Sequence, residues 1–129
     1  MSRTTADEVD PRGFSKTLEA CSAPLQELVG YLWSTAKHAG PTVTSRRYRH
    51  PKPNSGWGVT CYAGGKRFCD IHPKSDVDHA WVFIKVADPS AVTNDGFHAS
   101  QQRGWFQIRT MLEAVRFVKW ILLAHDTRQ

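Results

Sequence analysis

The stretch from Arg46 to Ile84, RRYRHPKPNSGWGVTCYAGGKRFCDIHPKSDVDHAWVFI, decides the fold of this chain of 129 residues. Residues Trp57 to Tyr62 alternate between two faces with the period of two that is typical of a β-strand. The following Ala63-Gly64-Gly65-Lys66 is a tight-turn signal, because glycine adopts positive φ without a Cβ clash. Residues Arg67 to His72 return from this turn. The stretch therefore predicts an antiparallel hairpin.

Further strands flank this hairpin on both sides. Thr42 to Tyr48 is β-branched and aromatic, and the prolines that follow it keep the connection extended. Ala80 to Val86 shows the clearest alternation in the chain, and Gly104 to Arg109 alternates again. Asp88-Pro89-Ser90 predicts a turn or a single helical turn, Asn94-Asp95-Gly96 predicts a loop, and no further element is assigned within residues 88–103. The sequence thus predicts an antiparallel sheet of about five strands.

Helical patterns lie at both ends of this run of strands. We expect a short helical turn over Phe14 to Cys21, and a longer helix after Pro24 that ends at Gly40-Pro41. A capping box, Thr110-Met111-Leu112-Glu113, begins a closing helix. The buried stripe of the first long helix is predicted as Leu25, Leu28, Val29, Leu32 and Ala36, and that of the closing helix as Met111, Ala114, Val115, Val118, Ile121 and Leu122.

Strands gathered between terminal helices indicate an α+β fold, in which the N-terminal and C-terminal helices pack on one face of the sheet. The length suits one domain, which we place at residues 14–129. Residues 1–13 are polar and interrupted by Pro11 and Gly13, so we expect a disordered lead. Neither a signal region nor an apolar run of membrane-spanning length is visible, so we expect a cytoplasmic protein that binds no membrane.

Positive charge is concentrated in the decisive stretch. Between Ser45 and Lys74 there are seven Lys and Arg residues against Asp70 alone, a local charge of +6, whereas the whole chain carries +5. Such an excess attracts phosphates or an acidic partner. The alternative is a solvated strand edge whose charges prevent aggregation. Charge alone does not decide between the two.

Aromatic residues are the second unusual feature, with five Trp in the chain. If the apolar residues of the last two strands face the helices, their partners share the opposite face of the sheet. Aromatic rings mixed with basic side chains on an open sheet are typical of proteins that bind single-stranded nucleic acid. The alternative is that these rings are covered by a loop, by the N-terminal turn around Phe14 or by a second copy of the chain. The residues on this predicted face are Trp81, Phe83, Lys85, Trp105, Gln107 and Arg109.

Catalytic and metal-binding patterns are weak. The three cysteines include no CxxC pair, and Cys69 lies three residues from His72, which puts their side chains on opposite faces of one strand. A pairing of Cys61 with His72 across the hairpin stays open at this stage. His50, His72, His79, Asp70, Asp76 and Asp78 form a loose group of metal-ligand types without a recognised spacing. We therefore predict no catalytic residue, no metal site and no cofactor.

The order of short motifs resembles one known group of domains. From GGKRF onward, the chain continues with WVFIK, ADPS, GWFQIR and a closing helix that contains ILLAHD. This order, over residues 57–125, is similar to the YjbR/MmcQ-like domains. The resemblance implies a small α+β domain with a double-wing, DNA-binding-like arrangement and no established catalytic activity. It supplies no functional residues, and the RRYRHPKP arm and the QQRG before Trp105 depart from its pattern.

The sequence thus predicts a binding module that is not an enzyme, and nucleic acid is the favoured ligand. An acidic protein is a further candidate partner. The alternative function is a protein-interaction or small-ligand domain that uses the aromatic face, with homodimerisation as one form of it. In the favoured interpretation, basic side chains contact phosphates and aromatic rings stack on bases. The predicted nucleic-acid-binding residues are Arg46, Arg47, Tyr48, Arg49, Lys52, Trp57, Lys66, Arg67, Trp105 and Arg109.

Overall fold

The structure is a computed structural model that describes residues 11–49, 56–74 and 77–128. These residues form four helices and six strands, which confirms the predicted α+β class. In chain order the elements are α1 (Pro11–Glu19), α2 (Ala23–Lys37), β1 (Val43–Arg49), β2 (Trp57–Ala63), β3 (Lys66–Lys74), β4 (His79–Ile84), α3 (Pro89–Asn94), β5 (His98–Ala99), β6 (Trp105–Ile108) and α4 (Met111–Arg128).

The sheet is antiparallel throughout, with the strand order β1-β2-β3-β4-β6-β5. The predicted glycine turn joins β2 to β3, and Gly64 and Gly65 both have positive φ, 58° and 79°. The sequence pattern predicts a return strand that ends at His72, but β3 continues through Pro73 to Lys74. The pairing of β3 with β2 ends at Ile71, so Pro73 pairs only with β4 and its missing N–H leaves no ladder bond unmade.

Helices α2 and α4 pack against each other on one face of the sheet. The stripe predicted for α2 is confirmed, since all five of its residues are buried. Ser22 caps this helix: its side chain accepts a hydrogen bond from the Leu25 N–H at 3.2 Å. The same hydroxyl donates to Asp78 Oδ1 at 2.6 Å, which ties the start of α2 to the turn between β3 and β4. Cap and stripe together fix how α2 lies on the sheet.

The orientation of α4 differs from the prediction. Met111, Val115 and Leu122 were expected in the core, but each is more than a third exposed. The buried side chains of α4 are Ala114, Phe117, Ile121, Ala124 and His125. Phe117 lies against Phe97 and Phe106, with ring centroids 5.0 Å and 6.1 Å apart, and these contacts turn the helix away from the predicted orientation.

Two segments differ from the predicted boundaries. Of the lead expected to be disordered, residues 1–10 lie outside the described residues, whereas Pro11 to Gly13 form the first turn of α1. In the unassigned stretch 88–103, α3 begins at a cap in which Asp88 accepts from the Ser90 N–H at 3.1 Å. The two-residue β5 then pairs with β6 and adds a sixth strand.

Candidate nucleic-acid interface on the open sheet face

One face of the sheet carries no helix from the residues that the structure describes, and we call it the open face. Strand alternation and the pairing register place Val59, Val82 and Phe106 in one row of the buried core. Their chain neighbours therefore point the other way. The open face consists of Thr44, Arg46, Tyr48, Gly58, Thr60, Tyr62, Arg67, Asp70, His72, Lys74, His79, Trp81, Phe83, His98, Trp105 and Gln107.

Aromatic side chains form the part of the open face built by β4 and β6. Phe83 and Trp105 are directly paired across these strands, and their ring centroids are 5.6 Å apart. Trp81 lies one step along β4, with its ring edge-on to His79 at 5.4 Å. All three large rings are half-buried. Each of these side chains therefore keeps part of its surface exposed.

Arg67, Asp70 and Phe83 form a compact group beside these rings. The Arg67 guanidinium donates to Asp70 Oδ2 through both Nε, at 2.9 Å, and Nη2. It also lies over the Phe83 ring, 3.9 Å from the centroid. Only 5% of the Asp70 side chain is exposed, against 43% for Arg67. The second oxygen, Asp70 Oδ1, is buried and has no hydrogen-bond partner among residues 11–49, 56–74 and 77–128.

Tyr48 and His72 pack together at a glycine. A Cβ at Gly58 would come within 2.8 Å of His72 Nδ1, 2.9 Å of the Ile71 carbonyl oxygen and 3.1 Å of Tyr48 Cζ. Glycine is needed here because both ring systems occupy the space above its backbone. Burial, and next the nearby Asp70 carboxylate, raise the pKa of Tyr48, so this phenol remains a neutral hydrogen-bonding group.

The charge of the open face is positive. Arg46 is exposed, Lys74 is half-buried, and Lys85 is exposed just beyond the end of β4. The described open-face residues include one carboxylate, Asp70, and Arg67 pairs with it. The face therefore offers cations to a ligand with no opposing exposed carboxylate of its own.

The structure divides the residues predicted from the sequence. It brings Arg46, Tyr48, Arg67 and Trp105 to the open face, with Lys66 at the hairpin turn beside them. Arg109 lies just past β6, where its guanidinium pairs with Glu113 at 2.9 Å. Lys52 lies outside the described residues, and for Arg49 the backbone alone is described, as the last residue of β1.

Arg47 and Trp57 lie on the helix side instead. Arg47 is directly paired with the core residue Val59, and its guanidinium carbon lies 5.2 Å from the Trp33 ring centroid and 5.8 Å from that of Phe14. Trp57 packs against the core and lies so close to Gly13 in α1 that a Cβ there would overlap its indole. Neither side chain is placed to act together with Arg46.

Sequence reasoning left Asp70 and Phe83 out of the binding residues. Asp70 entered the charge count and the group of metal-ligand types, and Phe83 was assigned to the correct face. Strand alternation could have placed Asp70 on the open face, because Asp70 lies between the core residues Cys69 and Ile71 on β3. The pairing of Asp70 with Phe83 depends on strand register, which the sequence did not supply.

The structure does not form the Cys61–His72 pair that the sequence analysis left open. Cys61 faces the core and His72 faces the open side, so no dyad forms between them. No disulfide joins the three buried cysteines. Burial raises the pKa of the Cys69 thiol well above its ordinary value. Within the described ranges there is also no cluster of three His, Cys, Asp or Glu side chains that could hold a metal ion.

Searches of protein-family models, curated proteins and solved structures found no match to this chain. The resemblance to the YjbR/MmcQ-like domains therefore stays a prediction from the sequence. None of the helices in the described part of the chain combines the length and the apolar character needed to cross a bilayer.

Proposed function

We propose that this domain binds single-stranded nucleic acid across the open face of its sheet. The observation that carries the proposal is the juxtaposition of the half-buried Trp81, Phe83 and Trp105 rings with exposed basic side chains on the face that none of the described helices covers. Bases of a single strand stack on such rings, and the basic groups neutralise the phosphates.

The geometry favours a single strand over a duplex. The rings form a patch on a sheet, and bases in a duplex already stack on each other, so their faces are not free to contact a sheet. The helix N-termini and the exposed face of α4 carry no comparable set of rings among the described residues. The open face therefore supplies both parts of the interaction, stacking and charge.

The experiment that tests the proposal is a fluorescence-anisotropy titration with a labelled single-stranded oligonucleotide and with the matching duplex. We expect the single strand to bind more tightly, and its affinity to fall about tenfold or more between about 50 mM and about 200 mM salt. Trp105→Ala should cost about 1–3 kcal/mol of binding free energy, the value of one stacked base.

Charge is tested with a matched pair of variants. Arg46→Ala removes one positive charge from the open face and should weaken binding and reduce the salt dependence. Lys37→Ala removes the same charge from α2, on the far side of the sheet, and should leave both the affinity and its salt dependence unchanged.

No binding of either nucleic acid at low salt would overturn the proposal. If a concentration-dependent dimer were found as well, the protein-interaction alternative would take its place.

A further inference from the structure

Asp70 occupies an unusual position for a carboxylate. It lies in the middle of the sheet, paired with Thr60 on one side and Phe83 on the other, and only 4% of the residue is exposed. Arg67 contacts Oδ2 alone. Oδ1 is a buried acceptor to which no described residue donates, and proteins seldom leave such an oxygen without a donor.

The rings beside Asp70 define where a base would lie. Phe83 is its direct cross-strand neighbour, and Trp105 follows on the next strand. Neighbouring strands are about 4.8 Å apart, so a base stacked at the Phe83–Trp105 pair presents its edge toward the Asp70 carboxylate. Arg67 lies above Phe83 and is the more exposed partner of the ion pair. A backbone phosphate offers this guanidinium an alternative partner, and a shift of Arg67 toward it would leave the Asp70 carboxylate free to accept from another donor.

We infer that Asp70 selects bases that carry an exocyclic amine, with cytosine the pyrimidine that fits. This inference rests on the proposed function, because it requires a nucleic-acid strand on the open face. A carboxylate oxygen accepts a hydrogen bond from the N4 amine of cytosine. Uracil has a carbonyl oxygen in the same position, and two acceptors that face each other repel. The N3–H of uracil lies between two carbonyl groups and offers the carboxylate a less favourable approach.

The test compares labelled oligomers of deoxycytidine and deoxyuridine of equal length by fluorescence anisotropy at neutral pH. The two strands share backbone, charge and ring size, so stacking and phosphate contacts largely cancel. We expect the protein to bind the cytosine strand about tenfold more tightly, which is the scale of one good hydrogen-bond contact to a base. Asp70→Asn keeps the size of the side chain but removes the charge, and its amide can also donate. This variant should lose most of the preference.

A third oligonucleotide tests recognition of the amine without the Asp70→Asn variant. An oligomer of 2-pyrimidinone deoxyriboside has hydrogen in place of the cytosine amine, and it should bind the unaltered protein about as weakly as the uracil strand. If it binds as tightly as the cytosine strand, the amine is not recognised and the inference is wrong. Equal binding of the cytosine and uracil strands would also overturn the inference while leaving the proposed function intact. Binding of none of the three would overturn both.

Discussion

At the scale of single residues, the open face depends on close packing around one glycine. Gly58 is buried, and the His72 and Tyr48 rings occupy the space that any larger side chain would need. The Ile71 carbonyl oxygen would lie 2.9 Å from a Cβ at this position, and a backbone atom in a sheet cannot easily move away. The packing of the Tyr48 and His72 rings on the open face therefore requires glycine at position 58.

Replacing Gly58 tests this packing. We expect Gly58→Ala to lower the free energy of unfolding by about 1–3 kcal/mol, because the methyl group must displace His72 or the backbone. Urea denaturation followed by tryptophan fluorescence measures the change. Gly30→Ala is the control: this glycine is exposed within α2, and a Cβ there meets nothing within 4 Å. That variant should gain about 1 kcal/mol from helix propensity. Equal effects of the two changes would contradict the packing around Gly58.

Asp95 predicts a pH-dependent contribution to stability. The hydrogen bond from the Trp120 indole, at 2.9 Å, and next that from Lys119, at 3.0 Å, lower the pKa of this carboxyl group in the folded protein. A lowered native pKa stabilises the fold above the unfolded value of about 3.9, and the contribution is lost as the pH falls through the native value.

We therefore expect Asp95→Asn to melt at a lower temperature than the wild-type chain at pH 7. The difference should shrink as the pH falls below about 4, because both chains then carry a neutral group at this position. Thermal denaturation followed by circular dichroism across this pH range measures it. A difference that stays constant down to about pH 2 would show that the carboxylate charge does not contribute.

At the scale of elements, the sequence predicts the strands and helices whose apolar residues lie on one face only. Five of the six strands and the buried stripe of α2 follow from alternation and from a single apolar face. The orientation of α4 does not, because α4 has apolar residues on both sides and its contact with Phe97 comes from the unassigned stretch 88–103. The candidate site was predicted only in part. Strand alternation places Arg46 and Trp105 on the open face, but the pairing of Asp70 with Phe83 follows from the register of β3 and β4, which the sequence pattern does not determine.

Two adjacent residues of α4 test the observed orientation. Ile121 is fully buried, whereas Leu122, which the sequence pattern placed in the core, is 38% exposed. We expect Ile121→Ala to cost about 2–5 kcal/mol of unfolding free energy, since it leaves a cavity under the helix. Leu122→Ala should cost less than about 1 kcal/mol, because its side chain is already largely in water. Chemical denaturation measures both variants, and a loss for Leu122→Ala as large as that for Ile121→Ala would contradict the observed orientation, because the sequence pattern placed both residues in the core.

At the scale of the whole molecule, the two sides of the sheet differ in character. The helix side contains the core, and the exposed large apolar side chains of α4 lie on its outer surface. The open side carries aromatic rings among basic groups and one buried carboxylate. The five tryptophans divide in the same way: Trp33, Trp57 and Trp120 pack against the core, whereas Trp81 and Trp105 lie on the open face.

This division makes the indole N–H groups the most direct test of where a nucleic-acid strand binds. We would record the five indole signals in a heteronuclear NMR spectrum while adding a single-stranded oligonucleotide at low salt. Binding across the open face predicts that the Trp81 and Trp105 signals shift, while those of Trp33, Trp57 and Trp120 stay in place. Shifts confined to the three core-side tryptophans, or no shift of any signal at low salt, would contradict the proposal that the open face binds nucleic acid.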